Sequence, residues 1–232
     1  MKHHACVFFC YNNIDHIIQS FNSIYRKETD YFILENKSAN SNLIEDYFTS
    51  ISKKIFSYIQ FNENISNNAL PIFIKDFNKI LKEYSYVTIT DGDLYVQDIQ
   101  LTFQEIFKNL SYPEVLMSCV DLSMSNLPNV PGASSWIPQG VQIRDYISCL
   151  TGAHLMTLKT ENFSILEKDK LLDSILHQAV LSLNKVWAKT LINKAYHLTW
   201  DLYTDNNPYF LAKINTPNIW DHNRVCDYRT II

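Results

Sequence analysis

Between residues 5 and 95, short apolar runs alternate with apolar residues at helical spacing, and this alternation restricts the possible folds more than any other feature of the chain. Cys6-Val7-Phe8-Phe9-Cys10-Tyr11 is a continuous apolar run, as expected of a strand buried on both faces. Ile14, Ile17, Ile18, Phe21 and Ile24 then fall on one face of a helix. Tyr31-Phe32-Ile33-Leu34 reads as a second buried strand. Leu43, Ile44, Tyr47, Phe48 and Ile51 mark a second amphipathic helix, with Ser41 as its expected N-cap. A third strand spans Ile55 to Phe61. Asn67-Asn68 is placed to cap a third helix, with Pro71 in its first turn and Leu70, Phe73, Ile74, Phe77, Ile80 and Leu81 on its inner face. Tyr86-Val87-Thr88-Ile89-Thr90 is a fourth strand by β-branched content, and it runs straight into Asp91-Gly92-Asp93. Strand and helix in strict alternation predict an α/β protein with a mostly parallel sheet between two helical layers, a three-layer α/β/α arrangement.

The second half is less regular. A helix is expected around Ile99 to Leu110 and a strand near Val115 to Val120. Residues 123–140 then gather Pro128, Pro131, Pro138, Gly132 and Gly140, and a loop of this length in a compact domain serves as a lid or binding loop. Tyr146 to Leu158 reads as strand interrupted by Gly152. Leu172, Ile175, Leu176, Ala179 and Leu183 form a further helix, which Asn184 is suited to end in the left-handed conformation. Beyond Val186 the tail is aromatic and polar, without a clear period. All 232 residues read as one domain. Residues 1–95 form its first half, ending in the acidic motif, and residues 96–232 its second, with the long loop and the aromatic carboxyl-terminal segment.

Composition narrows the function. With 20 Lys plus Arg against 24 Asp plus Glu, the formal charge is −4, and no basic run supplies the footprint of a duplex-DNA binder. A nucleic-acid partner is therefore not expected. The 5 cysteines, Cys6, Cys10, Cys119, Cys149 and Cys226, are odd in number, scattered and without a C-x-x-C pair, which favours reduced thiols over a disulfide framework or zinc site. The apolar run from Ala5 to Tyr11 is too short for a secretory core, and it ends in Asn12-Asn13 rather than a small-residue cleavage site. No stretch approaches the roughly 18 apolar residues of a spanning helix. A cytoplasmic protein is the expectation.

Asp91-Gly92-Asp93 carries the chemistry. Carboxylates at i and i+2 point to opposite faces of a strand, but a turn at Gly92 brings both toward one site. In open α/β sheets ligands bind at the carboxyl ends of strands, where this motif falls. Hard divalent ions such as Mg²⁺ and Mn²⁺ take oxygen ligands and are shared between carboxylates and substrate phosphates. An ordinary D-G surface turn is the alternative. A haloacid-dehalogenase-like phosphohydrolase needs D-x-D-x-[TV] after the first strand. Here Tyr95 occupies the last position and three strands precede the motif.

Over most of its length the chain resembles the nucleotide-sugar-dependent glycosyltransferases of the GT-A fold, bacterial family-2-like members in particular. Cys6 to Tyr11 followed by Asn12-Asn13 resembles their opening strand and nucleotide loop, and Phe32 to Ser38, with Glu35 and Asn36, their second strand and its polar "D-N-x-S" turn. Asn67-Asn68-Ala69-Leu70 matches an Asn-containing segment before the metal motif. Thr90-Asp91-Gly92-Asp93-Leu94 is similar to their "TDPDL". Thr151-Gly152-Ala153-His154-Leu155 stands where the group has "DTTF". His197-Leu198-Thr199-Trp200 resembles "HLPW", and Tyr209-Phe210 through Asn218-Ile219-Trp220 the closing "YY…ANxSIATW". The chain departs from the pattern in having Glu35 for Asp, in lacking the "DTT" acid, and in having no clean counterpart of the catalytic base.

The resemblance implies a metal-dependent glycosyltransferase that moves a sugar from a nucleoside-diphosphate donor to a hydroxyl of a glycan or glycolipid acceptor. Asn12, Asn13, Glu35, Asn36, Asn68, Asp91 and Gly92 would shape the nucleotide-sugar pocket. Asp93, Asp91 and His197 would hold Mn²⁺ or Mg²⁺, and Trp136 and Trp200 would meet the acceptor. Asp173 and Asp145 are the candidate bases for an inverting reaction, whereas a retaining course needs none. The abundance of Asn, Ile and Lys suggests an AT-rich bacterial genome, hence surface polysaccharide or lipooligosaccharide synthesis at the inner face of the membrane. A metal-dependent phosphohydrolase and a non-catalytic subunit of a polysaccharide assembly are the rival readings.

Overall fold

The computed structural model describes residues 2–65, 69–122, 141–143, 146–149, 155–167, 178–198 and 227–232. β1 (Lys2–Cys10) leads through α1 (Ile14–Ile24) to β2 (Thr29–Glu35), then through α2 (Ser41–Ser50) and a 3-10 turn (Ser52–Lys54) to β3 (Ser57–Phe61). α3 (Ala69–Leu81) returns the chain to β4 (Tyr84–Asp91), followed by β5 (Leu94–Val96), α4 (Ile99–Ser111) and β6 (Val115–Leu122). The later strands are β7 (Val141–Gln142), β8 (Ile147–Cys149), β9 (Met156–Lys159), β10 (Val186–His197) and β11 (Tyr228–Thr230). Among the described residues all eleven strands share one sheet, in the order β11-β3-β2-β1-β4-β9-β6-β10-β8-β7, with β5 also paired to β10. The β2–β3, β1–β2, β1–β4 and β6–β10 pairings are parallel, and the others are antiparallel.

Strand alternation gives the sheet two apolar faces. Cys6, Phe8, Tyr31 and Ile33 pack with Ile17, Phe21 and Ile24 of α1, Ile44 and Phe48 of α2, and Phe103, Ile106 and Leu110 of α4. Ala5, Val7, Phe32, Leu34, Val87 and Ile89 pack with Leu70, Phe73, Ile74 and Leu81 of α3, and with Phe163, Ala179 and Val180. Helices therefore cover both faces, as the alternating pattern requires. Each large apolar side chain moved from water into these layers contributes about 1.5–3 kcal/mol.

Several local expectations hold, and others are corrected. Pro71 lies in the first turn of α3, while Asn67 and Asn68 lie outside the described residues. The helical residues 178–182 end at Asn184, whose φ of 49° is left-handed. Lys185 N–H bonds Val180 O at 2.9 Å and Asn184 N–H bonds Leu181 O at 3.2 Å, which satisfies the last carbonyls. Ser41 is not the cap of α2. Asn40 holds that position without a side-chain cap bond, and Ser41 Oγ donates to Ser38 O at 2.7 Å. The expected strand from Tyr146 to Leu158 is two strands in different parts of the sheet, β8 beside β10 and β9 between β4 and β6. The tail is not without order either, because β10 runs for 12 residues through the sheet. Its pattern is hidden by a register shift between Lys189 and Lys194 and by buried Lys189 and Thr190. No helix among the described residues is long and apolar enough to cross a membrane.

Candidate functional site

The strand order reverses between β1 and β4. From β1 the chain builds outward to β2 and β3, with α1 and α2 on one face. It then crosses the other face through α3 and places β4 on the opposite side of β1. A crevice opens at the carboxyl ends of strands where such a reversal occurs. The ends of β1, β2 and β4 are level there, with Cys10 beside Glu35 and Phe9 beside Asp91. The residues that follow are Asn12 and Asn13 from β1, Asn36 to Ser38 from β2, and Gly92 and Asp93 from β4.

The β1 and β2 ends are tied together. Asn12, in the left-handed region at φ 59°, donates its N–H to Ser38 Oγ at 2.7 Å and accepts from Ala39 N–H through Oδ1 at 3.1 Å. Asn36 N–H bonds Cys10 O at 3.0 Å, and Asn36 Oδ1 accepts from Ile65 N–H at 2.9 Å, fixing the stretch that leads to α3. Asn13 caps α1: its Oδ1 accepts from His16 N–H at 3.3 Å. Glu35 is fully buried, and its Oε1 accepts from Ser38 N–H at 2.6 Å and Ser41 Oγ at 3.2 Å. Glu35 and Asn13 thus have framework contacts in the very loops that the sequence assigned to the nucleotide. Burial, with the Glu35 charge nearby, pushes the Cys10 thiol well up, and burial alone raises Cys6. Both remain protonated and unreactive, as free buried thiols do.

The acidic turn is built by contact. Gly92 is buried, and a Cβ placed on it would lie 2.5 Å from Phe9 O, so the turn seats directly on the backbone of β1. Asp91 is exposed and Asp93 half-buried. Pairing of β5 with β10 sets His197 opposite Leu94, and Leu198 N–H bonds Asp93 O at 2.7 Å. The backbone of 197 is thereby brought to the acidic turn from a position more than a hundred residues away, although its side chain is outside the description. Two acidic side chains on a turn pressed against a neighbouring strand offer hard oxygen donors, which suit a divalent cation. Among the described residues no group of three or more His, Cys, Asp or Glu gathers. Asn68, Trp136, Asp145, Asp173 and Trp200 lie outside the described residues.

Ser38, from the polar turn after β2, receives Asn12 N–H. Sequence reasoning missed two contributors, Ser20 and Ser23 of α1, which bond the backbone of β5 just after the acidic turn. The available signal was a small polar residue at position 20, within the apolar face of α1.

No family model matches the chain. Among curated proteins it is 33% identical over 241 residues to "Uncharacterized protein L142" of Acanthamoeba polyphaga mimivirus, covering 96% of this chain and 49% of that protein. It is 32% identical over 243 residues to "Uncharacterized protein L138" of the same virus, covering 97% and 28%. The chain therefore spans half or less of the length of these relatives. Among solved structures it is similar to a mannosyltransferase from Pyrobaculum calidifontis in complex with GDP-Man and Mn²⁺, with a TM-score of 0.61 and 14% identity over 88% of this chain and 58% of that one. S. aureus TarS gives 0.57 and 16% over 85% and 60%. GalNAc-T7 with UDP, GalNAc and Mn²⁺ gives 0.58 and 7% over 84% and 43%. With a sheet that reverses between β1 and β4 and these structures as neighbours, the chain has the GT-A fold of the nucleotide-sugar glycosyltransferases.

Proposed function

We propose that this chain is the catalytic domain of a metal-dependent glycosyltransferase, moving a sugar from a nucleoside-diphosphate donor to a hydroxyl of a glycan or glycolipid acceptor. The observation that carries this reading is that Asn12, Asn36 and Asp91-Gly92-Asp93 stand at or just after the neighbouring carboxyl ends of β1, β2 and β4, where the strand order reverses. Neighbouring structures of the same fold in complex with GDP-Man, UDP-GlcNAc or UDP support it, two of them with Mn²⁺.

In this reading Asn12 and Asn36 bound the nucleotide, Asn13 and Glu35 hold their loops, and Asn68 adds to the pocket. Gly92 allows the approach of β4 to β1. Asp93 would hold a divalent ion directly, with Asp91 reaching it through water or meeting the ribose instead, and with His197 as a further ligand. A divalent ion there would offset the negative charge that develops as the leaving group departs. Trp136 and Trp200 would bind the acceptor, and Asp173 or Asp145 would be the base if the reaction is inverting, whereas a retaining course needs none. The donor sugar and the acceptor are set by loop residues, which the fold leaves free to vary.

Thermal unfolding with UDP, GDP, CDP and CMP, each with and without Mn²⁺, tests the proposal. The expected result is a metal-dependent rise with one diphosphate, worth about 2.7 kcal/mol at a hundred times its dissociation constant, and its disappearance in Asp93→Ala. A rise with CMP alone, independent of metal, would remove the metal role of Asp93. The absence of any rise would favour a non-catalytic role.

A further inference from the structure

The face that α1 turns to the sheet is not purely apolar. Ser20 is 0% exposed among Ile17, Phe21 and Ile24. A hydroxyl at such a site costs free energy unless it is bonded, and its bond leaves the helix. Ser20 Oγ donates to Leu94 O at 2.7 Å, with Asp91 O at 3.4 Å as a weaker second acceptor. One turn further on, Ser23 Oγ donates to Ser20 O at 2.8 Å and accepts from Val96 N–H at 3.0 Å. Two hydroxyls three residues apart on one helix therefore bond backbone groups on both sides of Asp93. Leu198 N–H holds Asp93 O itself at 2.7 Å. The same helix begins at its cap Asn13, next to Asn12, whose bonds to Ser38 and Ala39 tie it to the β2 turn.

We propose that Ser20, assisted by Ser23, is a positioning residue for the acidic turn. It fixes the backbone that presents the Asp93 carboxylate, and α1 joins that turn rigidly to the nucleotide loop at Asn12. This rests on the reading of Asp91 and Asp93 as the metal–diphosphate site. α1 itself does not need the hydroxyl, since Ala at position 20 has the higher helix propensity and fits an apolar face. Loss of the hydroxyl therefore falls on the acidic turn and β5.

The test is calorimetric titration of the full chain with UDP and GDP, with and without Mn²⁺, for wild type, Ser20→Ala, Ser23→Ala and Asp93→Ala. The quantity compared is the factor by which Mn²⁺ tightens nucleotide binding. Ser20→Ala is expected to cut that factor about fivefold, as losing one hydrogen bond does, while metal-free affinity stays at the wild-type level. Ser23→Ala is expected to act in the same direction and to speed amide exchange at Val96. Ser23 is only half-buried, so its variant carries the test alone if Ser20→Ala fails to fold. An unchanged factor in the serine variants, or equal loss of metal-free and metal-dependent binding, overturns the proposal and leaves the acidic turn's role standing. If wild type shows no tightening by Mn²⁺, the reading of the turn falls and this proposal falls with it.

Discussion

At Gly92 the lack of a side chain decides whether the site can exist. A methyl group there would press on Phe9 O at 2.5 Å, and a backbone oxygen in a paired strand has little freedom to withdraw. Gly92→Ala is expected to lower stability by about 1–3 kcal/mol, the usual cost of overpacking. It should also weaken nucleotide binding when β4 shifts from β1. Urea unfolding and nucleotide titration of one preparation check both effects, and wild-type values in both would refute the close approach. The sequence offered Asp-Gly-Asp as a candidate, but it could not distinguish a surface turn from one seated on β1. Glu35 shows a similar limit. Its place in the second-strand turn suggested a part in the nucleotide-sugar pocket, and the sequence held no sign that its Oε1 also accepts from Ser38 N–H and Ser41 Oγ.

Among the elements, four adjacent strands, β2, β1, β4 and β9, carry a buried polar line that the hydrophobic pattern does not reveal. His4 of β1 lies 2.9 Å through Nδ1 from Thr29 Oγ1 of β2, and 2.6 Å through Nε2 from Thr88 Oγ1 of β4. Thr88 Oγ1 in turn lies 2.7 Å from Thr157 Oγ1 of β9. Burial first, then the charges of Arg26 and His3, hold the His4 pKa well below the imidazole value. Below about pH 6.5 the unfolded chain takes up a proton at this residue that the folded chain refuses. Stability is therefore expected to fall as pH drops from neutral through that value toward the folded pKa, by at most about 1.4 kcal/mol per pH unit from this group. Chemical unfolding at pH 7.5 and 5.5 should give a steeper decline in wild type than in His4→Gln, and equal slopes would contradict the assignment. α1 to α4 were legible because each turns a continuous apolar face to one of two cores, and β1 to β4 because their apolar runs are buried on both faces. β5, β10 and β11 were not. β5 and β11 span three residues each, too few for a period, and β10 breaks its own alternation where the register shifts.

On the scale of the whole molecule, the sheet separates two apolar layers that share no helix. Ile74→Ala of α3 and Ile106→Ala of α4 are each expected to cost about 2–5 kcal/mol. As they lie on opposite faces, the double variant should equal the sum within about 0.5 kcal/mol. A larger deviation in denaturant unfolding would mean that the layers communicate through the sheet. The alternation of strand and helix, the burial of both sheet faces and the position of an acidic turn after the fourth strand are written in the order of residues along the chain. These follow from side-chain period, which each segment carries locally. The reversal of strand order between β1 and β4, the insertion of β9 between β4 and β6, and the arrival of position 197 beside Asp93 emerge when the folded strands pair. Sheet pairing joins residues distant along the chain through backbone hydrogen bonds that every residue type except proline can offer, so the order of strands leaves little trace in the sequence.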